Sequence, residues 1–416
     1  MLRLVSLCGI AVLVAVCFAF SKNRRAINWR LVGIGLVLQA ILGFTFLYWS
    51  AGNQALQSVG RGVNTVIDLG QEGARMVFGS LASGSSGTGF VFAFQILPTL
   101  IFFSSLMAVL YHLGVMQAVV RAMAVVTARL LGTSGSESLS ACANVFVGQT
   151  EAPLLVRPFL RGMTMSELHT IMVGGFATIA GGVFAAYVGF VGGQDPVLRA
   201  EIAGRLMVAS VMAVPAGLVC SKLLWPETEP SQTMGKVTKV ESTKLGNVVE
   251  AAASGASDGL HLALNVGAML IAFLGLLALI NAGLGLVHQD LSLQLLLGYL
   301  FWPIASVMGV PSADIHELAQ LIGTKLVATE FVAYQDLGTM AAAQTVSPRT
   351  VMIASFALCG FANFSSVAIQ VGGLGAMAPE RRGDLARIGL RAMFGGAIAT
   401  CMTACVAGVL ASEDAS

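Results

Sequence analysis

The stretch Gly148-Gln149-Thr150-Glu151 places a carboxylate beside two other polar side chains in an apolar part of the chain. A second acidic residue follows a threonine at Thr329-Glu330, again in an apolar setting. A carboxylate in the hydrocarbon layer of a membrane costs about 2.5–3.5 kcal/mol or more, and one found there usually serves a function. The two glutamates are therefore the first candidates for a functional site.

The segments around the two glutamates resemble each other, which indicates an internal repeat. Glu330 follows Glu151 by 179 residues, and each precedes a stretch rich in Gly and Ala. Three further pairs of identical residues recur at an offset of 180: Thr170 and Thr350, Phe176 and Phe356, and Ala177 and Ala357. Paired, Gly-interrupted segments in the two halves of a transporter indicate a substrate site near the bilayer midplane.

The composition predicts an all-α integral membrane protein. Of the 416 residues, 56% are hydrophobic and 11% charged, with a mean hydropathy of +0.82, whereas soluble proteins carry about 25% charged residues. About eight apolar runs approach the roughly 20 residues that a transmembrane helix needs. They lie at about 4–20, 31–49, 89–110, 168–192, 203–221, 260–288, 350–376 and 391–411. The net charge of +2 gives no indication of a nucleic-acid partner.

Residues 1–20 resemble a secretory signal, but a first transmembrane helix that is retained is the favoured interpretation. A second apolar run follows soon afterwards, and Cys17-Phe18-Ala19-Phe20 is a poor cleavage site. We therefore expect this stretch to form the first span.

The sequence lacks motifs for catalysis, metal binding and disulfide formation. Its seven cysteines and five histidines fall in no zinc or disulfide spacing, so the cysteines are expected to be small buried hydrophobes. Ser365-Ser366 could suggest a nucleophile, yet no histidine lies in the same apolar segment and no GxSxG motif is present. An intramembrane enzyme is therefore a disfavoured alternative, and two inverted half-sites also argue against a passive channel.

Basic residues near the apolar runs indicate the orientation of the chain. Three regions are predicted to be cytoplasmic: Lys22-Asn23-Arg24-Arg25, the long polar stretch 222–250, and Arg381-Arg382. Arg157 and Arg161 share that side only if residues 135–162 enter and leave the membrane on its cytoplasmic face. The same reasoning places residues 312–342 on the opposite face. We therefore predict two re-entrant hairpins, inverted relative to each other, whose tips are shielded by protein or a water-filled cavity.

Two further stretches mix charged and apolar residues. Residues 54–79 are consistent with an amphipathic helix at the membrane interface, and an ordinary surface helix is the alternative. Residues 116–133 have the same mixed character, with Arg121 and Arg129 among apolar side chains.

Three motifs, in order along the chain, resemble the concentrative nucleoside transporters and in particular their bacterial sodium-coupled members. They are Gly148-Gln149-Thr150-Glu151-Ala152-Pro153, Thr329-Glu330-Phe331-Val332-Ala333 and Gly360-Phe361-Ala362-Asn363-Phe364-Ser365-Ser366. The resemblance implies a multi-pass protein of a bacterial inner membrane that imports nucleosides, for example the pyrimidine nucleoside uridine, together with sodium. It also implies a homotrimer of eight-span protomers, each with two inverted re-entrant hairpins and an elevator-type transport domain that moves against a trimeric scaffold.

With that architecture the chain divides into five parts. They are scaffold and interfacial helices at 1–134, a first transport half at 135–221, a cytoplasmic linker at 222–257, a scaffold span with an interfacial helix at 258–311, and a second transport half at 312–416. Each transport half would comprise a re-entrant hairpin, an interrupted helix and a further span.

Carried over position by position, the resemblance divides the nucleoside between the two hairpin tips. An amide and a carboxylate in the first tip suit the alternating donors and acceptors of uracil or cytosine, and a carboxylate in the second suits the vicinal hydroxyls of ribose. The positions are Gln149, Thr150 and Glu151 for the base, Glu330, Asn363 and Ser366 for the ribose, and Val183, Leu262 and Phe361 for flanking apolar surface.

Two residues near these positions receive no substrate role. His261 is an unusual neighbour for Leu262, and we place it at the pocket rim or in the scaffold. Lys325 lies close to Glu330 in sequence and could pair with it.

The resemblance also implies a sodium site formed by Asn144, Val147, Thr178 and Ile179. This set can offer an amide oxygen, a hydroxyl and carbonyls freed at a helix break, all of which suit sodium. Members of the family commonly have serine at the position of Thr178, and threonine keeps the hydroxyl group. A proton symporter of the same fold, with Glu151 or Glu330 as proton carrier, is the alternative, and neither reading implies an organic cofactor.

Overall fold

The computed structural model describes residues 1–82, 91–193, 195–237 and 246–411, and the regular secondary structure in these ranges is helical apart from one isolated antiparallel bridge between Ser134 and Met234. In chain order the α-helices are α1 (Leu2–Ala19), α2 (Trp29–Gly43), α3 (Ser50–Phe78), α4 (Phe92–Gln95), α5 (Leu97–His112), α6 (Val115–Leu131), α7 (Gly135–Ala143), α8 (Met165–Ala177), α9 (Gly181–Gly192), α10 (Pro196–Leu224), α11 (Val248–Gly285), α12 (Leu293–Ser306), α13 (Ile315–Val327), α14 (Glu330–Ala342), α15 (Pro348–Ala357), α16 (Phe364–Met377) and α17 (Arg382–Leu410).

Six helical segments in the described ranges are long and apolar enough to cross a membrane. They are Leu2–Ala19, Trp29–Tyr48, Phe92–His112, Pro196–Leu224, Val248–Gly285 and Pro379–Leu410. The other two predicted spans, 168–192 and 350–376, are interrupted, the first between α8 and α9 and the second between α15 and α16. Six continuous and two interrupted segments therefore account for the eight apolar runs of the sequence.

Each interruption has a local cause in the backbone. After α8, Thr178 and Ala180 both adopt extended conformations, so the helical hydrogen-bond ladder stops. After α15, Asn363 is extended and its side-chain oxygen accepts a hydrogen bond from the backbone N–H of Ser366, which caps the start of α16. The last carbonyls of α8 and α15 consequently lose their intrahelical donors.

The two breaks pack directly against each other at Gly360. A Cβ atom on Gly360 would lie 2.5 Å from the carbonyl oxygen of Phe176 and 3.0 Å from that of Ala177. On the other side of Phe176, Gly396 of α17 makes an equally close approach. Glycine thus lets three segments meet where the backbone is irregular.

Two helical hairpins precede the interrupted helices. The first consists of α7, a turn, and a 3-10 segment, Ala152–Gly162, which packs back against α7. The second consists of α13 and α14, with Ala328 and Thr329 between them. The Thr329 hydroxyl accepts a hydrogen bond from Val332 N–H and so caps α14.

Buried and peripheral helices are clearly distinguished. Most side chains of α10 and α17 are buried, and these helices pack against each other and against α8 and α15. By contrast α11, which packs mainly against α5, exposes apolar side chains such as Ile271 and Leu279 along its length. Large exposed apolar surfaces indicate contact with lipid or another protein.

The described part of the stretch between α10 and α11 is anchored by hydrogen bonds. Its described part includes Ser231, whose hydroxyl donates to Glu167 Oε1 at 2.6 Å, and Thr233, which exchanges a hydrogen bond with Ser136. These bonds fasten the stretch to the first turns of α8 and α7. Lys222 belongs to α10 and pairs with buried Glu137 at 2.7 Å. Residues 238–245, with Lys239 and Lys244, lie outside the described residues.

Residues 54–79 form the amphipathic α3 as predicted, and 116–133 correspond to α6. The seven cysteines are free thiols, and Cys8 is the exposed one among them. The helix α3 confirms the helical prediction for residues 54–79.

We predict that Gly360→Ala lowers the stability of the protein by about 1–3 kcal/mol, because the added methyl group overpacks the crossing of the two breaks. Thermal unfolding in detergent would show this as a lower melting temperature. Gly372→Ala is the matched control, since no atom lies within 4 Å of the Cβ position in that helix. Equal melting temperatures for Gly360→Ala and the parent would contradict the proposed packing.

Candidate functional site

Glu330 is a carboxylate held in the protein interior between two donors. Its side chain is buried, with only 2% of the residue exposed. The hydroxyl of Tyr187 donates to Oε1 at 3.1 Å, and the amide of Asn363 donates to Oε2 at 2.7 Å. Each carboxylate oxygen can accept a further hydrogen bond, so the group keeps acceptor capacity for a ligand.

Tyr187 was not recognised in the sequence, although it supplies one of the two donors to Glu330. Its ring stacks on Tyr334 with centroids 4.4 Å apart and packs against Phe331 at 5.0 Å. Val183, a predicted apolar contact, is buried one helical turn before Tyr187 on α9. The sequence offered one sign of a polar contact here, a single tyrosine within an otherwise apolar helix.

Asn363 joins the second hairpin to the broken helix. While its amide nitrogen donates to Glu330, its oxygen accepts from Ser366 N–H and from the Ser365 hydroxyl. The side chain therefore has one fixed orientation. Ser366 is buried beside it, and its hydroxyl has no hydrogen-bond partner among the described residues. Phe361 lies half-buried in the same break and packs against the core.

The tip of the first hairpin carries a second polar group. Gln149 is largely buried, and its Oε1 accepts from Gln370 Nε2 at 2.9 Å. Thr150 donates its hydroxyl to Glu151 Oε1 at 3.0 Å, and Glu151 is exposed. Neither side chain caps the following 3-10 segment. Gln370 was missed by the sequence reasoning.

Helix α16 connects the two polar groups. Asn363, at its N-terminus, contacts Glu330, and Gln370, seven residues later, contacts Gln149. Seven residues of α-helix span about 10 Å and return to nearly the same face. Ser366 lies between them on that face. The helix therefore places the two polar groups about 10 Å apart. This distance is close to the length of a small elongated ligand.

The predicted sodium-site residues lie at the first hairpin and the break after α8. Asn144 is fully buried, and its amide donates to Ser140 O at 3.0 Å, while its Oδ1 has no partner among the described residues. The Thr178 hydroxyl donates to Gly174 O at 2.9 Å, so the lone pairs of its oxygen remain available to a cation. Gly174 also approaches Asn144, since a Cβ there would lie 3.3 Å from Nδ2.

The other two sodium-site positions can contribute only backbone oxygens. Val147 is half-buried in the hairpin turn, and Ile179 is buried in the break. Nearby, Gly181 N–H donates to Phe146 O at 3.1 Å, which ties the hairpin turn to the start of α9. The buried Asn144 oxygen and freed carbonyls fit the oxygen ligands that a hard cation prefers.

Three remaining positions make contacts of their own. Leu262 is half-buried on α11 and packs against the core, and His261 beside it is exposed with Nδ1 near Ser257 O at 2.9 Å. Lys325 is close enough to Glu330 for the two charges to attract each other, but no direct ion pair joins them in the described part of the chain. Its ammonium donates instead to Ala357 O at 2.9 Å and Thr400 Oγ1 at 3.0 Å. Ala357 is the last residue of α15, where a carbonyl has no helical N–H partner, and its oxygen therefore accepts a hydrogen bond from the lysine.

Comparisons with known protein families match most of the chain. Residues 205–408 match the family model described as the C-terminus of Na+ dependent nucleoside transporters, and residues 8–81 match the model of their N-terminus. Residues 93–194 match a model described as nucleoside recognition.

Individual proteins agree with these models. An uncharacterized transporter of Haemophilus influenzae is 47% identical over 97% of both chains. Sodium/nucleoside cotransporter 1 of Mus musculus is 43% identical over 98% of this chain, which spans 64% of the mouse protein. A solved structure of CNTnw in an inward-facing substrate-bound state is 45% identical, with a TM-score of 0.90, and the match covers 99% of this chain and 98% of that one. The chain therefore belongs to the Na+-dependent nucleoside transporter family, a family of membrane transporters and not of enzymes.

Proposed function

We propose that this protein is a symporter that carries a nucleoside into a bacterial cell together with sodium. The observation that carries the proposal is the buried Glu330 carboxylate, which Tyr187 and Asn363 hold with unused acceptor capacity. A buried charge without full pairing is costly, so it persists where a ligand completes its hydrogen bonds.

The ribose is assigned to the second hairpin. Two vicinal hydroxyls can donate to the two oxygens of Glu330, and charge-assisted O–H···O⁻ bonds are short and strong. Ser366, whose backbone N–H binds Asn363, can accept or donate a further bond through its hydroxyl. This arrangement favours ribonucleosides over ligands that lack adjacent hydroxyls.

The base is assigned to the first hairpin, where Gln149, Thr150 and Glu151 provide both donors and acceptors. Val183, Leu262 and Phe361 would flank the nucleoside with apolar surface. The alternating edge of a pyrimidine suits one amide and one carboxylate, and we propose uridine as a substrate. The separation set by α16 matches a base at one end and a sugar at the other.

Sodium is the proposed coupling ion. Asn144 Oδ1 is a buried oxygen without a partner in the described part of the chain, and an ion would satisfy it. The Thr178 hydroxyl oxygen and backbone carbonyls at Val147 and Ile179 complete an all-oxygen set. A proton relay through Glu151 or Glu330 has no need of these oxygens, which is why sodium is favoured.

Sodium entry would supply the energy for accumulation. Moving one charge down a membrane potential releases about 2.3 kcal/mol per 100 mV, equivalent to about a fifty-fold concentration ratio. We further propose that the protein works as a homotrimer, in which residues 135–221 and 312–416 form the moving transport halves. The exposed apolar faces of α11 and α1 would contact lipid or neighbouring protomers.

We predict that Glu330→Gln weakens binding of every ribonucleoside about a hundredfold or more, because it removes the charge from a buried hydrogen-bonded group. Gln149→Ala should instead change the ranking of bases. Competition against labelled uridine uptake in proteoliposomes measures both effects. Glu380→Gln is a control, since that carboxylate forms an ion pair on the surface with Arg161.

The assignment of the two tips fails if Glu330→Gln retains the affinity of the parent for uridine while Gln149→Ala weakens all ribonucleosides equally.

We predict that uridine uptake requires a sodium gradient and persists when the pH gradient is collapsed. Asn144→Ala should raise the sodium concentration for half-maximal uptake several-fold, because it removes a buried oxygen from the ion site. Uptake would be measured in proteoliposomes with sodium and proton gradients imposed separately. Equal uptake in choline buffer without sodium would support the proton alternative instead.

A further inference from the structure

We infer that Gln370 is a positioning residue that fixes which end of the Gln149 amide faces the nucleobase. The inference rests on the proposed function and adds a selectivity rule to it. Gln370 lies on α16 with only 1% of the residue exposed, and it contacts the first hairpin without belonging to it. Its role would be to present Gln149 as a hydrogen-bond donor.

A backbone carbonyl sets the orientation of the Gln370 amide. Its Nε2 lies 3.2 Å from the carbonyl oxygen of Met172 on α8. A carbonyl oxygen only accepts hydrogen bonds, so the NH₂ group must face it. The opposite orientation would place two acceptor oxygens in contact. This removes the usual ambiguity between the oxygen and nitrogen of a glutamine side chain.

The orientation of Gln370 then determines that of Gln149. The second hydrogen of Gln370 Nε2 points to the Gln149 side chain at 2.9 Å, so the atom that receives it must be Oε1. Gln149 Nε2 is consequently turned the other way, and it makes no hydrogen bond to any described residue. The free end of Gln149 is therefore a pair of N–H donors.

Two glycines allow Gln370 and the tip of the first hairpin to pack closely against α8 and α16. A Cβ on Gly175 of α8 would lie 2.6 Å from Gln370 Nε2 and 2.8 Å from Gln149 Cβ. On α16 itself, a Cβ on Gly373 would lie 2.9 Å from Thr150 Cγ2. The hairpin tip is thus packed closely against both helices.

The hydrogen bond from Gln370 to Gln149 fixes where the base site offers a donor and where it offers an acceptor. A donor at Gln149 selects a base that offers an acceptor there, such as a ring carbonyl, and Glu151 remains as the acceptor for a ring N–H. Uridine presents both kinds of group, with carbonyls at positions 2 and 4 beside the N–H at position 3. Replacing the contacted carbonyl oxygen by sulfur, a weak acceptor, should therefore reduce affinity.

The test compares uridine, 2-thiouridine and 4-thiouridine as competitors of sodium-driven uridine uptake. In the parent, one thio analogue should bind about five- to tenfold more weakly than uridine, the effect of one ordinary hydrogen bond. Gln370→Met keeps the size of the side chain but removes both hydrogen bonds, and it should reduce this preference to within about twofold. The ratio of uridine to 2′-deoxyuridine should not change, because the ribose group at Glu330 is untouched.

Gln370→Asn serves as a second variant, since it keeps an amide that is too short to reach both partners, and it should lose the same preference. In a Gln149→Ala background, Gln370→Met should cause no further change in the preference, because Gln370 acts through Gln149.

The inference is overturned if the parent accepts both thio analogues like uridine, if Gln370→Met or Gln370→Asn retains the preference, or if the effect persists without Gln149. Absence of sodium-dependent uridine uptake by the parent would instead contradict the proposed function itself.

Discussion

The burial of the Glu330 carboxylate is the constraint on which the rest of the site depends. A charge in the protein interior needs donors, and the chain supplies them from Tyr187 and Asn363, which are far apart in sequence. Asn363 can reach Glu330 only because the apolar segment 348–377 is broken before it. The irregular backbone that interrupts the helix is therefore the same feature that creates the site.

The second break has a corresponding role at the first hairpin. Near the end of α8, the Thr178 hydroxyl bonds to Gly174 O, and Gly174 lies against the buried Asn144 side chain. Gly360 packs the two breaks against each other, so the proposed ion site and the proposed ribose site share one structural junction. A change at either break would be transmitted to the other through rigid contacts, which gives a physical basis for coupling ion and nucleoside.

Local sequence patterns predicted the elements of the fold but not the pairing of their polar residues. The apolar runs located the eight segments, and the repeated Thr-Glu pairs located both hairpin tips. Tyr187, Gln370 and the true partners of Lys325 escaped notice because their contacts join positions 32 to 221 residues apart, which periodicity cannot relate. Isolated polar residues in apolar helices were the one available signal, and both Tyr187 and Gln370 are residues of this kind.

The central claim is that α16 separates two independently held half-sites by about two helical turns. The most direct test is a double-mutant cycle on uridine binding with Tyr187→Phe, which loosens Glu330, and Gln149→Ala, which removes the base contact. Calorimetry in saturating sodium would measure the parent, both single variants and the double variant. The account predicts that the two losses add within about 0.5 kcal/mol, as for groups about 10 Å apart that have no hydrogen-bond partner in common within the protein. An interaction energy above about 1 kcal/mol would show that the two ends do not act as separate half-sites.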